Sequence, residues 1–265
     1  MLTISKYFYI TKLAIIRMSA YPTRFWGAIL ADLIIFLFVY FLWTHLYLGK
    51  TSVNGYTLKM MITYYLITLL IGSFTLVRGY ANRISKDIKS GDASLHFIKP
   101  FQYKWVLFAD SIGWAIPPFL ILLGIVLLLY GIQFQYLLPP HNLLLFSLSA
   151  ILGTILNFLI ISTAGTIAFW TTTTGGFISL LTRFSAMLGG SLVPLSFFPQ
   201  HIQAVLNYLP FKYTHYVSLE IYLGNLKGPE ELFTMGIQLL WILIFLIISK
   251  FIWNKGYKAY EAVNG

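Results

Sequence analysis

Long apolar segments alternate with short polar ones along the whole chain. A helix needs about 20 apolar residues to cross the roughly 30 Å of hydrocarbon in a bilayer, and six apolar segments approach or exceed that length. The pattern therefore predicts an all-α integral membrane protein with six transmembrane helices. These predicted spans cover residues 26–48, 58–77, 105–131, 143–170, 178–195 and 232–253.

Proline and glycine mark the breaks between the apolar segments. Pro139-Pro140 forbids a continuous helix between the third and fourth spans. The segment 196–231 contains five such breakers and is too interrupted to cross a membrane. We expect it to form two short helices, over residues 200–208 and 214–223, in the interface on the side opposite to the termini.

The N-terminal residues 1–25 carry four basic side chains among aliphatic and aromatic ones. A basic amphipathic helix of this kind lies in the plane of the membrane interface, and Pro22 can turn the chain from it into the first span. An interfacial helix is therefore predicted here. A basic tail without fixed structure is the alternative.

The most polar part of the chain is the segment 78–104. A charged side chain in the middle of a bilayer costs about 3 kcal/mol on insertion scales, so this segment must project into water between the second and third spans. Its charged residues are Arg78, Arg83, Lys86, Asp87, Lys89, Asp92, Lys99 and Lys104.

Basic residues also predict the orientation. Of the 18 lysines and arginines, 14 fall on the side of the termini and of the 78–104 loop, and four fall on the other side. Cytoplasmic loops carry the excess of basic residues. Both termini and the loop 78–104 are therefore predicted to be cytoplasmic, and the segment 196–231 to be extracellular.

Composition excludes several classes of function. The chain is 58% hydrophobic and 10% charged, and its net charge of +10 comes from residues between apolar runs rather than from a solvated basic surface, so no nucleic-acid partner is indicated. Without cysteine, disulfides and thiolate chemistry are impossible. No histidine pair has metal-ligand spacing, and no catalytic motif is visible. We expect a transport protein, not an enzyme, that binds no metal or cofactor itself and draws energy from another subunit or from an ion gradient.

A few polar residues lie inside the predicted spans. They can pack helices together or line a substrate path, and an acid in a span is either functional or reaches a headgroup. Arg183 is expected to extend to the cytoplasmic surface. The candidates for packing or for a substrate path are Asp32, Thr154, Asn157, Ser185 and Gly189.

Four stretches of the chain are more specific than its hydropathy pattern. They are NRISKDIKSGDASLHFIKPFQYKW, IAFWTTTTGGF, LGGSLVPLSFFPQHIQAVLNYLPF and the terminal YEAVNG. Together they resemble the membrane permease subunits of type-2 ATP-binding-cassette (ABC) exporters, in the branch whose permeases carry no fused ATPase. The resemblance covers nearly the whole chain. Its most specific parts are Lys89 to Asp92 followed by Lys99-Pro100, and the run Pro194 to Pro199. Threonines stand at 172–174, where the family leads us to expect acidic residues.

The resemblance implies a complex of two permease chains, identical or paralogous, with two cytoplasmic ATPase subunits that bind ATP and Mg. It also implies a coupling helix in the loop between the second and third spans, and short re-entrant helices before the last span. Such a complex in a prokaryotic cell membrane would export an amphipathic or hydrophobic cargo, for example a drug, a toxin, a natural product or a lipid. An ion-driven secondary transporter and a membrane-embedded scaffold are the alternatives.

The coupling helix is assigned to residues 82–90, with Gly91 as its cap. Four polar residues and three apolar ones are expected to contact a groove on the ATPase, whose closure would tilt the second and third spans. A solvated loop that sets topology alone is the alternative. The polar residues are Lys86, Asp87, Lys89 and Asp92, and the apolar residues are Ile84, Ile88 and Leu95.

Overall fold

The computed structural model describes residues 2–75, 79–90, 100–132, 134–171 and 174–264 of the chain. These residues form ten α-helices and three short 3-10 helices, and no β-strand occurs among them. The α-helices are α1 (Leu2–Ser19), α2 (Pro22–Leu46), α3 (Leu58–Thr75), α4 (Tyr80–Ser90), α5 (Pro100–Gly131), α6 (Leu143–Gly165), α7 (Gly175–Leu188), α8 (Gln200–Asn207), α9 (Tyr216–Leu223) and α10 (Pro229–Asn264). The 3-10 helices cover Thr166–Phe169, Leu195–Phe197 and Pro210–Tyr213.

Five helical segments within these ranges are long and apolar enough to cross a membrane. They belong to α2, to the stretch that begins with α3, and to α5, α6 and α10. The prediction of an all-α protein that crosses the membrane several times is confirmed.

The predicted fifth span, 178–195, is not one continuous helix. Its place is taken by α7, whose 14 residues give a length of about 21 Å, so the helix itself covers only part of the roughly 30 Å of hydrocarbon. The helix ends because Gly190 adopts a left-handed conformation with φ +82, which a glycine reaches without steric cost. A side chain at that position would also collide with Tyr216, whose Cβ lies 2.9 Å from where a Cβ of residue 190 would stand.

The segment 196–231 returns to the end of α7. The backbone N–H of Tyr216 donates to the carbonyl of Gly189 at 2.9 Å, so α9 begins where α7 stops. From there α9 packs against α3, α6 and α10 and ends at Gly224, which is left-handed. The helices α8 and α9 lie close to the two short helices predicted for this segment.

The N-terminal helix α1 packs along α5. Their backbones approach closely at Gly113, where an added Cβ would lie 2.5 Å from both the carbonyl oxygen of Thr11 and the Cβ of Ala14. The Thr11 hydroxyl donates to the Ala109 carbonyl at 3.0 Å. The N-terminal segment is therefore an ordered helix attached to the third predicted span.

Two apolar cores hold the helices together. One runs along α6 and includes buried residues of α4, α5, α9 and α10. The other is centred on α3 and includes residues of α2, α5 and α9. Because α4 contributes to the first core, the predicted coupling helix is part of the folded body of the protein.

Candidate coupling site and the polar network behind it

Helix α4 is strongly amphipathic, and it turns its apolar side inward. Its buried residues recur every three or four positions, which places them on one face of a helix. This face packs against α6 and the 3-10 helix Thr166–Phe169. The buried residues are Tyr80, Ala81, Ile84, Ser85 and Ile88.

The sequence-based role of Ile84 and Ile88 needs a correction. Both were expected to contact an ATPase, but they are 0% and 2% exposed within this chain. Their apolar side chains gain more from burial in the core of their own chain, which is permanently available, than from a partner surface. The predicted contacts Gly91, Asp92 and Leu95 lie outside the described residues.

The opposite side of α4 is open and basic. Asn82, Lys86, Lys89 and Ser90 are exposed, and they line one wall of an open cleft of about 450 Å³. Thr174 and Gly175, at the start of α7, complete the cleft together with Ser85. The predicted polar contacts Lys86 and Lys89 are therefore on the accessible face.

A hydrogen-bonded contact fixes α4 to α7 at the bottom of this cleft. The hydroxyl oxygens of Ser85 and Thr174 lie 2.5 Å apart, and the Lys89 ammonium donates to the Thr174 hydroxyl at 3.1 Å. Thr174 is 2% exposed. The start of α7 is therefore tied to the coupling helix, a link that the sequence pattern did not indicate.

Two acidic residues connect α4 to α5 and α1. Asp110 of α5 pairs with Arg17 of α1 and with Arg83 of α4 at 3.4 Å. Asp87 accepts a hydrogen bond from the Tyr103 hydroxyl at 2.5 Å and lies 3.9 Å from Arg83. Asp87 therefore faces its own chain, contrary to its expected role as a contact for a partner.

Replacing Asp110 with asparagine should loosen α1 and α4 together. Partly exposed ion pairs are worth up to about 1 kcal/mol each, so loss of both pairs should lower the free energy of unfolding by about 1–2 kcal/mol. Thermal unfolding of the purified protein at low and high salt measures this effect, and salt should shrink the difference.

The exposed Lys12 of α1 offers a control, because Lys12→Gln removes a charge of the same helix that takes part in none of the ion pairs among the described residues. An Asp110→Asn variant that unfolds at the native temperature in low salt would show that these ion pairs do not hold the helices.

The predicted packing residues of the membrane core come together in part. The Asn157 amide donates to the Thr75 carbonyl at 2.8 Å and accepts from the Ser185 hydroxyl at 3.1 Å. The Thr75 hydroxyl lies 2.5 Å from Nε2 of His215. This network joins α3, α6, α7 and the residue before α9, all with buried side chains.

The other three candidates differ from one another. Gly189 lies at the edge of this network, where an added Cβ would be 2.6 Å from the Thr214 hydroxyl. The Thr154 hydroxyl donates to a carbonyl of its own helix, that of Ala150, at 2.8 Å. Asp32 lies partly buried on α2, a helix that does not belong to the network.

Two further buried polar groups escaped sequence reasoning. Gln238 of α10 donates to the carbonyls of Ser149 and Tyr213 at 3.2 and 2.9 Å. Glu220 of α9 accepts from the Tyr56 hydroxyl at 2.5 Å, and burial raises the pKa of its carboxyl. A signal for Glu220 was present, since it is the single acidic residue between Asp110 and Glu230.

Within the described ranges, no three histidine or acidic side chains cluster closely enough to hold a metal ion. The site consists of a basic exposed face on α4 and of polar contacts that connect α4 to α5, to α7 and, through Asp110, to α1.

One comparison with known protein families gives a match. The sequence profile of a family described as ABC-2 family transporter protein matches residues 33–263. No curated protein matches the chain.

Proposed function

Since the chain belongs to the ABC-2 transporter family, we propose that it is the permease of an ATP-driven exporter and that a cytoplasmic ATPase docks on the exposed face of α4. The observation that carries this proposal is the division of α4 into two sides. Its apolar side is buried in the permease, whereas Lys86 and Lys89 face an open cleft. A basic face of this kind fits an acidic or polar surface on the partner.

The contacts of α4 determine where a push from the ATPase would go. Ile84 and Ile88 press on α6, the Ser85–Thr174 contact reaches α7, and Arg83 reaches Asp110 of α5. Closure of the ATPase would therefore move α4 with several spans and with α1, instead of tilting only the second and third spans. Packed interfaces of this kind shift between discrete arrangements.

The remaining parts of the proposal follow from the family. The complex would hold two ATPase subunits, which bind ATP and Mg, and a second permease chain, identical or paralogous. The permease would hydrolyse no ATP itself. It would carry an amphipathic or hydrophobic cargo out across a prokaryotic cell membrane, with the loop 78–104 and both termini in the cytoplasm.

Removing both exposed lysines tests the docking face. Each exposed charge pair is worth up to about 1 kcal/mol, so the variant Lys86→Gln/Lys89→Gln should bind the ATPase roughly tenfold more weakly. Co-purification from membranes and the affinity of the purified subunits measure this, together with ATP-driven transport in vesicles.

A matched control removes two lysines from the other side of the membrane, Lys50→Gln/Lys227→Gln, where both lysines are exposed. This control should retain the ATPase. The docking proposal fails if the two double variants behave alike, and the permease proposal fails if vesicles without ATPase transport in response to a proton or sodium gradient.

A further inference from the structure

Helix α7 buries only one of its sides. Ile178 and Ser185 are its buried residues. Large apolar residues on the other side are between 42% and 55% exposed, namely Phe177, Leu180, Phe184 and Met187.

Arg183 lies on this exposed side. At about 100° per residue, it stands roughly 140–160° around the helix from Ile178 and Ser185, so it points away from the rest of the chain. Its side chain is exposed. The ion pairs found among the described residues involve Arg17 and Arg83 but not Arg183.

The depth of Arg183 places its charge near the inner leaflet. It follows Gly175, the first residue of α7, by eight positions, or about 12 Å along the helix axis. Helical side chains lean toward the N-terminus of the helix, which is the cytoplasmic end in the predicted topology. A guanidinium group at this level needs an anion or water, because a bare charge in hydrocarbon is costly.

We propose that the exposed side of α7 binds an anionic amphiphile from the inner leaflet. Arg183 pairs with the carboxylate or phosphate of this molecule, which guanidinium binds with two parallel hydrogen bonds, and Leu180, Phe184 and Met187 contact its apolar chain. Gly176 is exposed, and an added Cβ there would have no atom within 4 Å, so there is room for a headgroup. This inference rests on the proposed function and specifies the cargo as an anionic amphiphile.

Binding to the permease in nanodiscs of phosphatidylcholine tests the proposal. The probes are a dansyl-labelled fatty acid and its methyl ester, which share one chain and differ in charge. The native protein should bind the acid about tenfold more tightly than the ester, the value of a charge-assisted hydrogen bond. Arg183→Gln should lose this preference and Arg183→Lys should keep part of it.

Two further variants separate charge from packing. Leu180→Ala should weaken the binding of acid and ester alike. Lys12→Gln, which removes an exposed basic side chain of α1, should keep the preference of the native protein. An acid preference that is absent from the native protein, or that survives in Arg183→Gln, overturns the proposal.

A last comparison distinguishes cargo from a lipid anchor. In the complex with its ATPase, the acid should stimulate ATP hydrolysis more than the ester does, and this difference should vanish in Arg183→Gln. If phosphatidylglycerol displaces the acid and the acid gives no stimulation, Arg183 holds a structural lipid and the cargo proposal is wrong. Binding of the ATPase is measured without any amphiphile, by co-purification and subunit affinity of the Lys86 and Lys89 variants, so the proposed function can stand while this inference fails.

Discussion

Replacing Gly165 with leucine should abolish ATP-driven transport while the chain still inserts into the membrane. Gly165 ends α6 where α4 crosses it, and an added Cβ would lie 2.7 Å from the carbonyl oxygen of Ala81 and 3.0 Å from its Cα. These atoms are backbone and cannot rotate aside. Overpacking of this kind costs about 1–3 kcal/mol, and here the strain is relieved by lifting α4 from α6.

Lifting α4 would break several contacts at once. Three contacts depend on the position of α4. They are the packing of Ile84 and Ile88 in the apolar core, the Ser85–Thr174 contact and the Arg83–Asp110 ion pair. We therefore expect transport in vesicles to fall by more than about tenfold. Gly165→Ala should give a smaller loss of transport, because alanine adds only the Cβ atom and leucine adds three more carbon atoms beyond it.

The control for this substitution is Gly124→Leu in α5. Gly124 is also inside an apolar helix, but an added Cβ there has no atom within 4 Å. The Gly124→Leu variant should insert into the membrane and transport like the native protein. Normal ATP-driven transport by Gly165→Leu would show that close seating of α4 on α6 is not needed for coupling.

The sequence predicted the existence of these elements better than their contacts. The apolar periodicity of α4 was visible, but periodicity shows only that one face of a helix is buried and not what covers it. The family resemblance assigned Ile84 and Ile88 to an ATPase contact, whereas in the structure they are buried in the core that runs along α6. Tertiary packing between segments about 80 residues apart in the chain leaves no local signal.

The fifth span shows a different limit of pattern reasoning. Hydropathy over residues 178–195 is high enough for a span, and small residues in that stretch were interpreted as helix packing. The structure uses Gly189 and Gly190 to end α7 and to let Tyr216 reach it. Glycine permits both close packing and a left-handed turn, so its residue type alone does not decide between them.

Buried polar contacts were the hardest to predict. Asn157 and Ser185 were identified because small and polar residues share their helix faces, and they do bond to each other. Thr75, whose carbonyl accepts from Asn157, and His215, which contacts the Thr75 hydroxyl, lie in other segments. In hydrocarbon a polar group must find a partner within the protein, but that requirement does not specify which one.

Helix α6 links the two ends of this arrangement. Gly165 brings it against α4, and Gly153, 12 residues earlier, brings it against the segment that leads into α9. The distance between these two contacts is about 18 Å along the helix. A displacement of α6 by α4 would therefore be transmitted directly to the segment 196–231.

Replacing Gly153 with alanine should destabilise the segment 196–231 and slow transport while ATPase binding is retained. An added Cβ at residue 153 would lie 2.3 Å from the carbonyl oxygen of Thr214 and 3.3 Å from that of Tyr213, both of which are backbone atoms. We expect the free energy of unfolding to fall by about 1–3 kcal/mol, with protease cleavage rising first in the segment between α7 and α10.

The matched control is Gly236→Ala in α10, where an added Cβ has no neighbour within 4 Å and alanine favours the helix by up to about 1 kcal/mol. The unfolding temperature should therefore fall below that of the native protein for Gly153→Ala and rise above it for Gly236→Ala. The ATPase should remain bound to Gly153→Ala, because Lys86 and Lys89 are on a different helix. If Gly153→Ala unfolds and transports like the native protein, α6 does not hold the segment 196–231 at this point, and motion of α6 is not transmitted to it directly.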